Sequence, residues 1–393
     1  AENNKTLVGL AMGIYGLTQA LLQLPLGIAS DKFGRKKTIY VGLIVFAAGS
    51  FLAAAANSLP MLVAARAIQG AGAVSAAVTA LLADLTRDGV RTRAMAMIGL
   101  SIGLTFSVSL VVAPMIADII GVPGLFMLTG ILTVISIGVV AWMTPDPEVS
   151  KLHEDTQAQP SRMGEVLRDR QLLNLDFGIF ALHAAQMALF TALPFAMTQL
   201  GLEKIQHWKV YLPSTIAGLV IMIPLIIIGE TRNKLKQVFI LGIACIAAAQ
   251  IGLLFGMHSI WLITAYLVVY FIGFNVLEAS LPSMVSKIAP SDLKGTAMGV
   301  YNTMQSVGLF VGGASGGWLF QQYGFAGVFT FCSVLMLLWL VIAVFAPAPK
   351  PVKNLSYPVS PAWQEKYDSL YQALSQVEGV ESITFSADKQ TIY

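Results

Sequence analysis

The sequence predicts an all-α polytopic membrane protein built from two parallel helical halves, and three observations carry that prediction. Of 393 residues, 56% are hydrophobic and 11% charged, with a mean hydropathy of +0.73. A soluble domain carries about 25% charged residues, so a water-soluble globule is excluded. Apolar segments recur along the chain, each long enough to cross a ~30 Å hydrocarbon core. The chain also matches itself at an offset of 203 residues: Ala94-Met95 falls on Ala297-Met298, and Gly121, Gly124 and Phe126 fall on Gly324, Gly327 and Phe329. A β-barrel is excluded, because its strands alternate over about ten residues rather than forming long apolar runs. Cys245 and Cys332 both sit in apolar segments, which leaves no disulfide framework or Cys-based metal motif.

Taken in order, spans are expected at 7–29, 38–57, 60–84, 93–118 and 122–144, then at 172–200, 208–229, 237–257, 260–286, 295–320 and 324–347. Their connections alternate in charge. One side receives Lys32, Arg35, Lys36 and Lys37, then Arg87, Arg91 and Arg93, and further on Lys151, Arg162, Arg168 and Arg170. Arg232, Lys234 and Lys236, then Lys287 and Lys294, follow on that side. The turns at 57–59, 119–121, 257–259 and 321–323 carry no Lys or Arg, and only Lys204 and Lys209 interrupt the pattern at 201–209. The positive-inside rule puts the basic side in the cytoplasm, with residue 1 outside and the C-terminus inside. A multi-pass cell membrane protein is therefore expected, and the membrane is taken to be a bacterial inner one.

The offset divides the chain into a first transmembrane half, 1–144, a central cytoplasmic loop, 145–171, a second half, 172–347, and a cytoplasmic tail, 348–393. Parallel repeats of this kind are one transporter architecture. The partner of the 172–200 span would precede residue 1, so the first half is expected to lack its opening helix and the chain to be part of a twelve-span protein.

Two clusters carry chemistry at the basic side and in the third span. Gly27-Ile28-Ala29-Ser30-Asp31-Lys32-Phe33-Gly34-Arg35-Lys36-Lys37 combines a glycine suited to close helix approach, a glycine for a tight turn, and a carboxylate beside guanidinium and ammonium groups. Arg35 can fork onto a carboxylate, and Asp84, at the same end of the 60–84 span, is its candidate partner. Leu62, Arg66, Gln69, Gly70 and Gly72 form the second cluster, with Arg66 and Gln69 on one helical face. Arginine within a span costs ~2.5–3.5 kcal/mol unless it faces a cavity or partner, and Arg66 is also close enough to the end to snorkel outward.

The first cluster resembles the G-x-x-x-D-[RK]-x-G-[RK]-[RK] loop of the major facilitator superfamily, and the second resembles that family's fourth-helix motif. The resemblance covers nearly all of 1–347 and is nearest to drug:proton antiporters with a ferredoxin-like appendage. It implies that Gly27, Asp31, Lys32, Gly34, Arg35, Lys36 and Asp84 latch one state of an alternating-access cycle, and that Arg66 takes part in proton coupling. A third motif is only partial: Ala113-Pro114 stands where antiporters carry G-x-x-x-G-P-x-x-G-G, but here Ser109, Ala113, Ala117 and Asp118 replace the glycines. The second-half counterpart, Gly312-Gly313 and Gly316-Gly317, has glycines without the proline.

Two further ionisable groups lie deep in their spans. His183 is roughly 16 Å into its helix at 1.5 Å per residue, and Glu278 is well inside its own. His183 shares a face with Gln186, and Glu278 with Asn275; Gln19/Gln23 and Asn302/Gln305 repeat the spacing. Gln19, Gln23, Gln69, Gln186, Asn275, Asn302 and Gln305 are thus candidates to line a substrate cavity, and Arg66, His183 and Glu278 to couple protons. Asp118 and Asp176, near span ends, are expected at the interface.

In the tail, Trp363, Tyr367, Leu370, Tyr371 and Leu374 have helical spacing, and Ser382-Ile383-Thr384-Phe385 alternates as a strand. This resembles the first half of a βαββαβ ferredoxin-like domain. It has no cysteine, so metal transfer is not expected.

The resemblance as a whole implies a proton-driven secondary transporter exporting a small amphipathic or hydrophobic compound. Its partners would be that substrate, protons and the bilayer, with no cofactor, catalytic residue, metal or nucleic acid. A proton symporter or uniporter on the same fold, or a membrane sensor acting through its tail, are the alternatives. No phosphate loop, triad or metal cluster supports an enzyme.

Overall fold

The computed structural model describes residues 4–72, 74–86, 88–146, 162–232, 234–290 and 293–347, and in the tail 357–360, 363, 366–377, 380, 383 and 391–392. The first half contains α1 (Lys5–Phe33), α2 (Arg35–Ala54), α3 (Leu59–Ala71), α4 (Ser75–Leu85) and α5 (Asp88–Trp142). A single turn, α6 (Met163–Val166), precedes the second half: α7 (Arg170–Gln199), α8 (Trp208–Thr231), α9 (Leu235–Phe255), α10 (Ile260–Ile288) and α11 (Lys294–Phe345). Among the described residues nine helical stretches are long and apolar enough to cross a membrane. Two of them are double. α5 breaks its helical backbone at Gly121 (φ 71°) and α11 at Gly324 (φ 63°), and each continues as a further span. Counted this way, the described residues have room for the eleven spans expected from the sequence.

The 203-residue offset is visible in the elements themselves. It carries Lys5, the start of α1, onto Trp208, the start of α8; Gly121 onto Gly324; and Trp142, the end of α5, onto Phe345, the end of α11. Both break glycines adopt a positive φ that side chains rarely tolerate, so the repeat preserves a backbone requirement rather than a chance identity. The third span is described as two helical pieces, α3 and α4, with residue 73 between them outside the described residues. Gly34, at φ 103°, makes the one-residue joint between α1 and α2.

Within the first half α1, α2, α3 and α5 pack together; within the second, α7 packs on α11, and α10 on α8 and α9. The halves meet through α1 on α11 and α5 on α8, two contacts that the repeat exchanges. α7 is the central helix of the second half, with Ile179, Leu182, Ala185, Leu189 and Leu193 inaccessible. Large apolar side chains elsewhere face outward, as a lipid-solvated surface requires. Trp142 and Phe345 at the basic end, and Phe255 and Trp261 at the opposite end, form the exposed aromatic rims typical of membrane interfaces.

Of the central loop, 147–161 lies outside the described residues; Val166 of α6 is buried against the second half. In the tail, β1 (Tyr357–Pro358) pairs antiparallel with β2 (Thr391–Ile392), and α12 (Tyr367–Ser375) lies between them in the chain. Ile383 is the only described residue of the strand expected at 382–385. The described tail therefore falls short of the α+β unit expected from its sequence.

Candidate functional site

α7, α10 and α11 bring three polar side chains together in the interior of the second half. His183 is 6% exposed. Its Nδ1 lies 3.2 Å from the Ile179 carbonyl oxygen one turn earlier, a group that only accepts, so Nδ1 carries a hydrogen. Its Nε2 lies 2.8 Å from Gln305 Nε2 and 3.2 Å from Glu278 Oε1. A neutral His183 of that tautomer would present a lone pair to a carboxylate oxygen that also presents one. The Gln305 amide can fill that Nε2 lone pair, whereas a direct hydrogen bond between His183 and Glu278 needs a second proton. Either Glu278 is a carboxylic acid donating to Nε2, or His183 is an imidazolium donating to Glu278, with the Gln305 amide turned to offer its oxygen.

The Glu278 side chain is 35% exposed, while its Oε1 is buried beside the imidazole. Around the pair, the Phe274 ring lies 6.2 Å from the His183 ring and 6.1 Å from Phe106 of α5. Phe274 thus touches both the polar pair and the other half. Asn275 Nδ2 and the Tyr270 hydroxyl are buried nearby on α10 without hydrogen-bond partners.

In the first half, Arg66 points inward and does not snorkel. Its Nε donates to the Ala11 carbonyl at 3.3 Å, and a terminal nitrogen donates to Gln69 Oε1 at 2.7 Å. Its guanidinium stands 4.8 Å over the Tyr15 ring, a cation–π arrangement. Gln69 Nε2 in turn donates to Ser50 Oγ at 2.7 Å. Gln69 is 1% exposed, so its amide ties α2 to α3 instead of lining open space. Among the other cavity candidates, Gln23 (with Oε1 unpartnered) and Gln186 are buried, while Gln19, Asn275 and Asn302 are half-buried.

At the basic end, Arg35 Nε lies 2.9 Å from Asp84 Oδ2, with both side chains at 2% exposure or less. An Arg35 terminal nitrogen also donates to Ser30 Oγ at 2.8 Å. This pair clamps α1, α2 and α4 within one half. Lys36 pairs with the exposed Asp146 at 3.0 Å, and Lys32 is exposed over Phe33. The Asp31 side chain lies outside the described residues. Gly27 is not a tight contact: a methyl there would meet Ala76 Cβ at 3.6 Å, ordinary packing. Removing one partner of a buried ion pair costs about 3–5 kcal/mol, because the other charge is stranded. Asp84→Asn should therefore lower the thermal-unfolding midpoint in detergent markedly. Arg35→Lys should recover only part of that stability, since an ammonium cannot fork onto Asp84 and Ser30 together.

Sequence position misplaced one carboxylate. Asp118 is exposed, as expected near a span end, but Asp176 is 3% exposed and its Oδ2 is buried without a partner. Depth along a helix is readable from residue count, whereas the face a residue occupies is set by neighbours remote in sequence. The seven-residue spacing from Asp176 to His183 was the available signal, because it puts both on one face of α7.

Two parallel helical halves enclosing charged groups that no soluble core would bury define a polytopic transporter. Comparison with known proteins makes this specific. The sequence profile described as Major Facilitator Superfamily matches residues 2–313 and 233–376. The chain is 38% identical to the inner membrane transport protein YajR of Escherichia coli (strain K12) over 99% of its own length and 86% of that protein's. It is 24% identical to the multidrug resistance protein MdtH of Cronobacter sakazakii (strain ATCC BAA-894), over 85% of each. Among solved structures, the human organic anion transporter MFSD10 (TETRAN) superposes with a TM-score of 0.62 at 20% identity, covering 86% of this chain and 83% of that one, a likeness of fold. The chain belongs to the major facilitator superfamily: it is a multi-pass membrane transporter and not an enzyme.

Proposed function

We propose that the protein is a proton-driven secondary transporter that exports a small amphipathic or hydrophobic compound by alternating access. The observation that carries this reading is the His183–Glu278 approach of 3.2 Å, which becomes a direct hydrogen bond when a proton sits between the two groups. Loss of that proton leaves opposed lone pairs or a separated pair, so protonation biases how α7, α10 and α11 pack. Phe274 passes the change to Phe106 across the halves. Arg66 supplies the fixed positive charge of the first half, and the relatives named multidrug resistance protein favour drug-like cargo.

The basic end faces the cytoplasm of a bacterial inner membrane, with the tail on that side. Arg35 and Asp84 hold the corner that presents Asp31, and together they latch the cycle at that end. Proton symport is the second reading, favoured by the missing glycines at Ser109, Ala113 and Ala117.

Purified protein in liposomes, screened against lipophilic cations and neutral amphiphiles under pH gradients of either sign, separates the readings. Antiport moves cargo against the direction of proton flow. Cargo moving with the protons establishes symport, and transport indifferent to the gradient overturns proton coupling.

A further inference from the structure

Lys5 of the first half reaches the second at the end opposite the basic turns, and nothing in the His183–Glu278–Gln305 cluster uses it. On α11, Ser306, Gly313 and Phe320 follow one another at seven-residue spacing and so share a helical face. α1 runs antiparallel along that face: a methyl at Gly16 would meet the Ser306 carbonyl oxygen, and one at Gly9 the Gly313 carbonyl oxygen. One at Gly317 would stand 2.6 Å from the Lys5 carbonyl oxygen, so the contact continues to the first turn of α1. Gly299, seven residues before Ser306 and nearer the basic end, would meet nothing within 4 Å. That face is covered at one end and open at the other. At the covered end the Lys5 ammonium stands 3.9 Å from the centre of the Phe320 ring and 5.9 Å from that of Phe195 on α7. Phe320 is 3% exposed, and its ring lies 5.3 Å from Phe195 and 4.9 Å from Phe325, which follows the break at Gly324. Among the described residues no carboxylate pairs with Lys5, so the rings meet its charge. The Lys5 backbone N–H also donates to Gln321 Oε1 at 2.9 Å, which ties the first turn of α1 beside those rings.

Resting on the alternating-access reading, we infer that Lys5 and the Phe195–Phe320–Phe325 rings form a cation–π latch that holds this end of the transporter closed. The ammonium belongs to one half and the rings to the other, so parting the halves here must lift the charge off the rings. The negative face of an aromatic ring attracts a cation, and more strongly where water is excluded. The latch is releasable, because Lys5 is only half-buried and its ammonium regains hydration as the end opens. The rings stay packed on one another within the second half. A cation over a ring shifts an equilibrium by about twofold to thirtyfold, enough to bias closure without locking it.

Spin labels at Asn57 and His258, exposed in turns of the two halves at this end, test the latch by pulsed electron paramagnetic resonance. The full chain is measured in liposomes with Cys245 and Cys332 replaced by alanine. Lys5→Met keeps the length of the side chain but removes its charge, and should raise the ratio of long to short distances at least about threefold. Phe320→Leu should do the same, and the double variant should open no further than either single one. Lys5→Arg and Phe320→Tyr, which keep a cation and a ring, should stay near wild type. Phe320→pentafluorophenylalanine keeps the shape of the ring but reverses its charge distribution, and should open this end as Lys5→Met does. That keeps the test decisive if Phe320→Leu fails to fold. A ratio unmoved by Lys5→Met, or additive effects in the double variant, overturns the latch while leaving alternating access in place. One fixed distance in wild type and in every variant, under pH gradients of either sign, overturns the latch and alternating access together.

Discussion

Glu278→Gln should reduce accumulation driven by a pH gradient to simple equilibration. A one-unit gradient stores ~1.4 kcal/mol per proton, so one-for-one exchange supports up to about tenfold accumulation of cargo in liposomes. Glutamine preserves the size of the side chain and can still hydrogen-bond His183 Nε2, but it removes the carboxyl group 3.2 Å from the imidazole that the proposed coupling requires. The accumulation ratio should therefore fall to about one while exchange of labelled for unlabelled cargo at equal pH persists. That split is the diagnostic, because a variant that merely misfolds loses both. His183→Gln should do the same if the proton is shared, since either residue alone leaves nothing to settle the opposed lone pairs. Full gradient-driven accumulation in Glu278→Gln would remove this residue from the coupling machinery and return attention to Arg66.

What the sequence made legible follows from which physics is local. The breaks at Gly121 and Gly324 were visible because a backbone with positive φ is paid for by residue type alone, and the repeat wrote it twice. Arg35 and Asp84 could be matched because few charges occur near that end and a buried one needs an opposite neighbour. His183 and Glu278 stood out as deep ionisable groups, but their contact depends on how α7 and α10 pack, which no spacing along either helix encodes. The same limit explains Asp176, judged by its distance from a helix end when the face it occupies decided its environment. It explains Gly27 too, where room for a methyl against Ala76 was not foreseeable from a motif position.

Gly313→Leu should hold the halves apart at the end opposite the basic turns. The four glycines of this stretch divide by face. Gly312 and Gly316 seat against Ala184 and Ala188 of α7, inside the second half, whereas Gly313 and Gly317 seat against α1 of the first. A Cβ at Gly313 would stand 2.7 Å from Gly13 N and from the Gly9 carbonyl oxygen, and one at Gly13 would stand 2.7 Å from the Phe310 carbonyl oxygen. The atoms met are backbone, so no rotamer change relieves the clash and the helices must separate. Small residues permit close approach where lipid offers no hydrophobic drive for association, so the contact is made of shape. A transporter that must close this end once per cycle would then stall with it open. Gradient-driven and exchange transport should both fall at least tenfold, and the distance between spin labels on α1 and α11 near residues 6 and 319 should lengthen. Gly27→Ala, which meets only an ordinary contact, should leave both readouts near wild type. The bland outcome, equal loss in both variants with unchanged label distance, would mean that bulk anywhere in α1 or α11 harms folding. It would deny the Gly9–Gly13–Gly313–Gly317 seam a part in the cycle.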